Sequence, residues 1–330
     1  MTDSTDALAE FAEKFAVRDR DLASLGGVVL HYGLLLRNAL DEIHPLIVDQ
    51  GDVDTPTQTD SGKALSPWHA AACLDDRVRT AAFIRGAIHA VEFAVSRSPG
   101  RPVHLLEGGC GPLGALVLPL LAYFSCDELE VSLIDLHQES IDCVEAMLDH
   151  FGFRHRVRQL VCTDATEFIA ASEVDIVLTE TMNCALSGEP QVAISRALLQ
   201  RHPGALLVPQ SIRIDLTLVN IAAERAHFPP QVCDRRQIAT VFEFNRDSAV
   251  NLPEQNGLLP AASVEMPGSI PLEYYPCLTT TVQVFNETQI SDYESQITIP
   301  VLLSQLECAV SERTIHFTYR MLNPPGLEWA

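Results

Sequence analysis

The sequence predicts an α/β protein whose centre is an open, mostly parallel β-sheet, and three stretches with different apolar patterns support this. Residues 102–210 alternate short apolar runs (VHLLE, EVSLIDL, RQLVC, VDIVLTE and GALLVPQ) with helical segments, which is typical of parallel sheets covered by helices. Before them, apolar residues recur at three- and four-residue spacing, which indicates helices. After residue 210, apolar and polar residues alternate in runs rich in Thr and Val, which indicates strands.

These patterns divide the chain into three predicted domains. Residues 1–100 form a helical region, in which DQGDVDTPTQTDSGKALSP is a turn-rich loop that we interpret as an exposed flap. Residues 101–210 form the parallel sheet, with helices expected in GALVLPLLAYF, ESIDCVEAMLDHFG and EPQVAISRALLQRH. Residues 211–330 form a β-rich barrel or sandwich, with strands expected in IRIDLTLVNI, ATVFEF, LTTTVQVF, QITIPVLL and TIHFTYRM.

The charge and cysteine content restrict the class of function. The net charge of -22 argues against nucleic acid or an anionic membrane as a partner. It is compatible with a cationic substrate, but solubility is the more common reason for an acidic surface. The only lysines, Lys14 and Lys63, lie outside any GxxxxGK[ST] phosphate loop. The 9 cysteines lack zinc-type spacing, so no metal is expected. With no secretory pattern in the first residues and no apolar run long enough to span a bilayer, we expect a cytoplasmic enzyme.

The first candidate site is a glycine-rich turn in HLLEGGCGPLG, after the first strand of the parallel sheet. Glu107 ends the strand, and Gly109 and Gly111 lie in the turn. Glycines let the backbone approach a ligand without interference from a Cβ atom, and a helix that follows such a turn offers free N–H groups. Taken alone, the motif fits a purely structural turn equally well.

Acids also follow the next two strands. Asp135 ends VSLID, where it is placed to accept hydrogen bonds from ribose hydroxyls; capping of the following helix is the alternative. Asp164 follows the third strand, where it is placed to accept from the exocyclic amine of adenine or to cap a short helix beginning at Ala165. Because ligands of parallel sheets bind at the carboxyl ends of the strands, three acids in this order predict a nucleotide-like cofactor.

This order of motifs resembles that of class I S-adenosylmethionine-dependent methyltransferases, which contain a Rossmann-like sheet. Residues 109–114 also fit the GxGxxG fingerprint of dinucleotide folds, but the acid directly before the turn and the later acids favour the methyltransferases. The family's usual third glycine is replaced here by Leu113, with Gly114 following it. The resemblance implies S-adenosylmethionine as the cofactor, bound by Glu107, Gly109, Gly111, Asp135, Asp164 and Ala165.

Two further motifs resemble the protein arginine methyltransferase family. LDDRVRT is similar to the D-x-x-R-T pattern of a helix that folds over the cofactor, which implies that Arg79 binds the methionyl carboxylate. An arginine on the surface of a helix is the alternative. In TETMNCALSGEP, Glu180 and Glu189 have the 9-residue separation of the family's two glutamates after the fourth strand. The residues between the glutamates lack the family's aromatic side chains, but Met182 follows the first glutamate by two places, as in the family. The resemblance implies that the glutamates are catalytic and bind the substrate together with Met182.

The two glutamates suit one chemistry. A guanidinium stays protonated at any relevant pH, and two carboxylates can hold it and direct one nitrogen at the sulfonium methyl group. No metal, nucleophilic side chain or strong base is needed. Burial of two acids without a cation between them costs several kcal/mol, which itself selects a cationic substrate.

The resemblance is specific over residues 74–210 and only architectural after them. The family's Thr-His-Trp loop is absent from the sequence, and EYYPC or residues 285–286 are the candidates for its place. The β-rich region is also shorter than the family's barrel with its dimerisation arm, so a homodimer is left open.

These departures favour a small acceptor. The leading hypothesis is N-methylation of a guanidino nitrogen of free L-arginine or a derivative, in a biosynthetic pathway. An arginine-containing protein is the alternative acceptor. Another small-molecule N- or O-methyltransferase and a non-catalytic, cofactor-binding regulator are the remaining hypotheses.

Overall fold

The computed structural model of the protein describes residues 2–43, 55–98, 100–304 and 314–330. Its N-terminal part consists of helices and one short hairpin, in the order α1 (Thr2–Ala16), α2 (Gly26–Ile43), β1 (Thr57–Thr59), β2 (Gly62–Ala64), α3 (Pro67–Ala72) and α4 (Arg77–Arg97). The hairpin lies within the segment expected to be an exposed flap. Residues 55, 57, 58 and 60 of that segment are exposed, whereas Gly62, Ser66 and Pro67 are buried and hydrogen bonds tie the hairpin to the rest of the protein. Residues 49–54 lie outside the described residues.

Helix α4 is the central helix of the molecule. Asp76 caps its first turn by accepting a hydrogen bond from the Arg79 N–H at 3.3 Å. Most of the helix is buried because it contacts strands of both the parallel and the antiparallel sheet. Gly86 permits one of these contacts, since a Cβ atom there would lie 2.4 Å from Val284. The helix therefore links the two sheets.

A parallel sheet of 5 strands follows, in the spatial order β5-β4-β3-β6-β7. Its strands and helices are β3 (Val103–Gly108), α5 (Leu118–Tyr123), β4 (Leu129–Asp135), α6 (Gln138–His150), β5 (Val157–Cys162), β6 (Ile176–Thr179), α7 (Gln191–Arg201) and β7 (Leu206–Val208). The strand order reverses between β3 and β6, which defines a Rossmann-like sheet and confirms the predicted fold class. Helix α5 begins later than GALVLPLLAYF predicts, because turns occupy residues 111–113 and 115–117.

The C-terminal part is antiparallel. It contains β8 (Ser211–Val219), α8 (Ile221–Arg225), β9 (Arg235–Asn245), α9 (Arg246–Asn251), β10 (Leu258–Glu265), β11 (Tyr275–Phe285), β12 (Thr288–Ile290), β13 (Val301–Leu302), β14 (Thr314–Arg320) and β15 (Gly326–Trp329). One sheet has the order β12-β11-β8-β9, with β13 on β11, and the other has the order β10-β14-β15.

One predicted strand of this region is largely wrong. In QITIPVLL, Gln296–Thr298 is a 3₁₀ turn and only Val301–Leu302 is a strand. Ser295 stabilises the turn through a capping box with Thr298, which satisfies backbone groups that a strand ladder would otherwise use.

The buried apolar side chains form one continuous core. It extends from Leu8 and Phe15 of α1 through the parallel sheet to Phe244 and Tyr319 of the antiparallel strands. Among the described residues, no helix combines the length and the apolar character needed to cross a membrane.

Candidate functional site

A pocket of about 160 Å³ lies at the carboxyl ends of the parallel strands. Its wall comes from the β1–β2 hairpin, α3 and α4, the glycine-rich turn and the segments after β4, β5 and β6. All but one of the residues singled out from the sequence line it, namely Arg79, Glu107, Gly109, Gly111, Asp135, Asp164, Ala165, Glu180 and Glu189. The exception, Met182, is buried in the hydrophobic core and does not line the pocket.

The glycine-rich turn needs glycine at three positions. Gly109, Gly111 and Gly114 have φ angles of +84°, +62° and +56°. A Cβ atom at Gly114 would lie 2.8 Å from Val144, which explains a glycine there rather than at the preceding position. The expectation that a helix begins directly after these glycines is wrong, since α5 begins at Leu118.

Asp135 holds this turn in place. Its Oδ2 accepts a hydrogen bond from the Gly111 N–H, and its Oδ1 accepts one from the His137 N–H, both at 2.9 Å. The carboxylate does not cap α6, whose N-cap is His137. A carboxylate has about four acceptor sites, so Asp135 keeps capacity for hydroxyl donors of a ligand.

Asp164 stabilises a turn instead of a helix. Its Oδ1 accepts hydrogen bonds from the N–H and the hydroxyl of Thr166, at 2.8 and 2.7 Å. No helix begins at Ala165 in this part of the described chain, so helix capping is not the role of Asp164. Asp164 and Ala165 both remain on the pocket wall.

Glu107 is a fully buried acid on the pocket wall. Burial, and then the negative charges of Asp135 and Glu180, raise its pKa well above the ordinary value. Its Oε2 atom has no hydrogen-bond partner among the described residues. A buried polar atom without a partner is costly, so this oxygen fits a polar ligand atom.

Arg79 and Glu180 form a buried ion pair on the pocket wall, through Nη2 and Oε2. Burial raises the pKa of Glu180 and the Arg79 guanidinium opposes it, with a net rise. The Arg79 Nε and the Glu180 Oε1 are buried and have no hydrogen-bond partner among the described residues. Each side chain therefore retains one group that a ligand can satisfy.

Glu189 is the second acid of this loop. Burial, followed by the charge of Glu180, raises its pKa to about 7, against the opposing effects of Arg79 and Lys63. The carboxyl is thus divided between its neutral and charged forms near neutral pH. A cationic ligand would favour the charged form.

The antiparallel sheets hold the loop that carries both glutamates. The loop contains left-handed residues at Ala185 and Leu186, with φ angles of 51° and 54°, a conformation that non-glycine residues adopt at a cost. The hydroxyl of Tyr319 donates to the Leu186 carbonyl at 2.8 Å. The hydroxyl oxygen of Thr280 accepts from the Ala185 N–H at 3.1 Å. Each of the two antiparallel sheets therefore holds one residue of the loop between the two acids.

A contact that sequence reasoning missed joins residues 295–298 to the start of α4. Asp76 Oδ2 accepts hydrogen bonds from the Ser295 hydroxyl at 2.6 Å and from the Gln296 N–H at 2.8 Å. The thiol of Cys184, in the glutamate loop, donates to the Gln296 carbonyl at 2.8 Å. Residues 295–298 thus contact both the LDDRVRT motif and the glutamate loop. They belong to neither of the two segments, EYYPC and residues 285–286, that were the candidates for the place of Thr-His-Trp. The capping-box spacing of Ser295 and Thr298 is the only local signal for them.

The fold and the site together define a Rossmann-like α/β protein with an acid-lined pocket at the carboxyl edge of its sheet. No protein-family model matches the chain. No curated protein matches it either.

Solved structures of arginine methyltransferases are similar to the chain at low identity. The Trypanosoma brucei PRMT1 enzyme–prozyme heterotetrameric complex with AdoHcy has 14% identity and a TM-score of 0.48, over 75% of this chain and 86% of that chain. PRMT6 has 10% identity and a TM-score of 0.49, over 75% and 95%. Arabidopsis thaliana protein arginine methyltransferase 10 has 11% identity and a TM-score of 0.46, over 77% and 87%. Because the identities and TM-scores are this low, the fold is assigned from the strand order of the chain itself.

Proposed function

We propose that the protein is an S-adenosylmethionine-dependent methyltransferase acting on a guanidino nitrogen, with free L-arginine or a derivative as the acceptor in a biosynthetic pathway. The observation that carries the proposal is the placement of Glu180 and Glu189 in one pocket with the three acids at the carboxyl ends of β3, β4 and β5. The end of the pocket at Asp135 and Asp164 then suits a nucleoside, and the end at Glu180 and Glu189 suits a cation.

The residues present fit the cofactor. Arg79 is the group that would hold the methionyl carboxylate, since its Nε lacks a partner and guanidinium–carboxylate contacts are strong. Asp135 would accept from the ribose hydroxyls, and Asp164 and Ala165 would contact the adenine. Gly109 and Gly111 would let the backbone approach the cofactor closely. When bound, the cofactor supplies an electrophilic methyl group on its sulfonium.

The two glutamates would hold the acceptor. A guanidinium between Glu180 and Glu189 satisfies the free Oε1 of Glu180 and keeps Glu189 charged. As the new N–C bond forms, the bond between the methyl group and the sulfonium would break and its electron pair would stay on sulfur, leaving a neutral thioether. The methylated nitrogen loses one proton, so the methylated guanidinium remains a monocation. Charged Glu189 would lie beside that nitrogen and could pass the proton to solvent. Positioning and charge are then the main contributions of the chain.

Incubation with methyl-labelled S-adenosylmethionine tests the proposal, with L-arginine, an arginine-containing peptide and no acceptor in parallel. We expect label in L-arginine. Label only in the peptide would select a protein acceptor, and no label in any sample would favour a regulator that binds the cofactor without transfer.

A further inference from the structure

The β1–β2 hairpin forms one side of the pocket and is held at three points. The hydroxyl of Thr57 lies 2.9 Å from the His137 Nε2. The Lys63 N–H donates to the Gly188 carbonyl at 2.9 Å, and the Asn323 N–H donates to the Asp60 carbonyl at 2.8 Å. The hairpin therefore connects the segment after Asp135 with the glutamate loop.

Lys63 stands at the glutamate end of the pocket. It is half-buried, it lines the pocket, and its Cε would lie 3.6 Å from a Cβ atom built on Gly188, the residue before Glu189. The positive charge of Lys63 also lowers the pKa of Glu189. Among the described residues of the pocket wall, the lysine and arginine side chains are Lys63 and Arg79.

This second cation has a consequence for the acceptor. Arg79 is paired with Glu180, whereas Lys63 shows no ion pair with a carboxylate within 4.0 Å in the described chain. A guanidinium that binds Glu189 brings a positive charge close to the Lys63 ammonium, which is unfavourable in a partly buried site. An acceptor that also carries an anion relieves this repulsion by pairing with Lys63.

We propose that Lys63 is a specificity-determining residue that binds the carboxylate of the acceptor, so that the substrate class is a small guanidino acid. This proposal rests on the proposed function. Arginine inside a polypeptide has an amide in place of that carboxylate and leaves Lys63 without an anion. The site then prefers the free amino acid.

Calorimetric binding in the presence of saturating S-adenosylhomocysteine tests the proposal. The ligands are L-arginine and L-argininamide, which differ in the carboxylate. We expect the wild-type protein to bind L-arginine about tenfold to a hundredfold more tightly, the range of one charge-assisted contact. Lys63→Met should remove this preference, whereas Lys63→Arg should keep it.

Lys14→Met is the matched control, because it removes the other lysine of the chain, an exposed residue of α1. It should leave both affinities unchanged. Equal binding of the two ligands to the wild-type protein, or an equal change for both in Lys63→Met, would overturn the role of Lys63. Preferential binding of L-arginine without any methyl transfer would sink the proposed function and leave the carboxylate site standing.

Discussion

The pKa of Glu189 predicts how methyl transfer depends on pH. Burial and the charge of Glu180 raise this pKa to about 7, and the carboxyl must be charged to hold a guanidinium, which itself stays protonated. About one tenth of the carboxyls are ionised at pH 6 and about nine tenths at pH 8, so kcat/KM should rise about tenfold over this range and then level off.

A substitution shifts this profile in a known direction. Because Lys63 lowers the pKa of Glu189, Lys63→Met should move the midpoint to higher pH. The assay measures initial rates with saturating labelled cofactor and with L-argininamide well below its KM, so that the binding of an acceptor carboxylate does not enter. Lys14→Met should keep the wild-type midpoint. A flat profile between pH 6 and 8, or a lower midpoint in Lys63→Met, would refute the reasoning.

Three further substitutions test the site through stability. Because the pKa of Glu189 is raised from 4.5 to about 7 in the folded protein, the carboxyl lowers the free energy of unfolding as pH rises through this range. Glu189→Gln should therefore raise the free energy of unfolding, measured in urea, by up to about 3 kcal/mol at pH 8. An equal gain at pH 5 would contradict this. Arg79→Met leaves Glu180 buried and unpaired, so we expect it to lower the free energy of unfolding by about 3–5 kcal/mol and to weaken the calorimetric binding of S-adenosylhomocysteine. Adding Glu180→Gln should restore most of the lost stability. Gly109→Ala places a Cβ atom 2.6 Å from a neighbouring side chain, at a residue with φ +84°. It should lower the free energy of unfolding by about 1–3 kcal/mol and weaken cofactor binding. The control Gly204→Ala, which has open space around it, should change neither.

The parallel sheet could be predicted from the sequence because its signals are local. Each buried strand is a short apolar run, and the acids at the ends of β3, β4 and β5 are adjacent in sequence to those runs. Parallel strands bring their carboxyl ends to one edge, so the chain order alone placed Glu107, Asp135 and Asp164 near one another. The pairing of Glu180 with Arg79 did not follow from either motif, since it depends on how α4 lies across the sheet.

The second layer of the site depends on contacts that have no local signal. Asp76 and Ser295 are 219 residues apart in the sequence and meet only because α4 links the two sheets. The hairpin could be recognised as turn-rich, but its position over the pocket depends on distant partners at Gly188 and Asn323. A local sequence pattern cannot specify such contacts, and for this reason Lys63 was not predicted as a site residue.

The central claim is that two acids hold a guanidinium beside the cofactor. Transfer to L-arginine by Glu189→Gln, measured together with the affinity for S-adenosylhomocysteine on the same sample, tests it most directly. Among the described residues, the ion pair of Arg79 is with Glu180, and Glu189 forms neither a hydrogen bond nor an ion pair with Arg79. The account predicts a loss of at least about a hundredfold in kcat/KM, comparable to removing a charge-assisted contact in a transition state, with cofactor affinity unchanged. Transfer within a few-fold of the wild-type rate would contradict it.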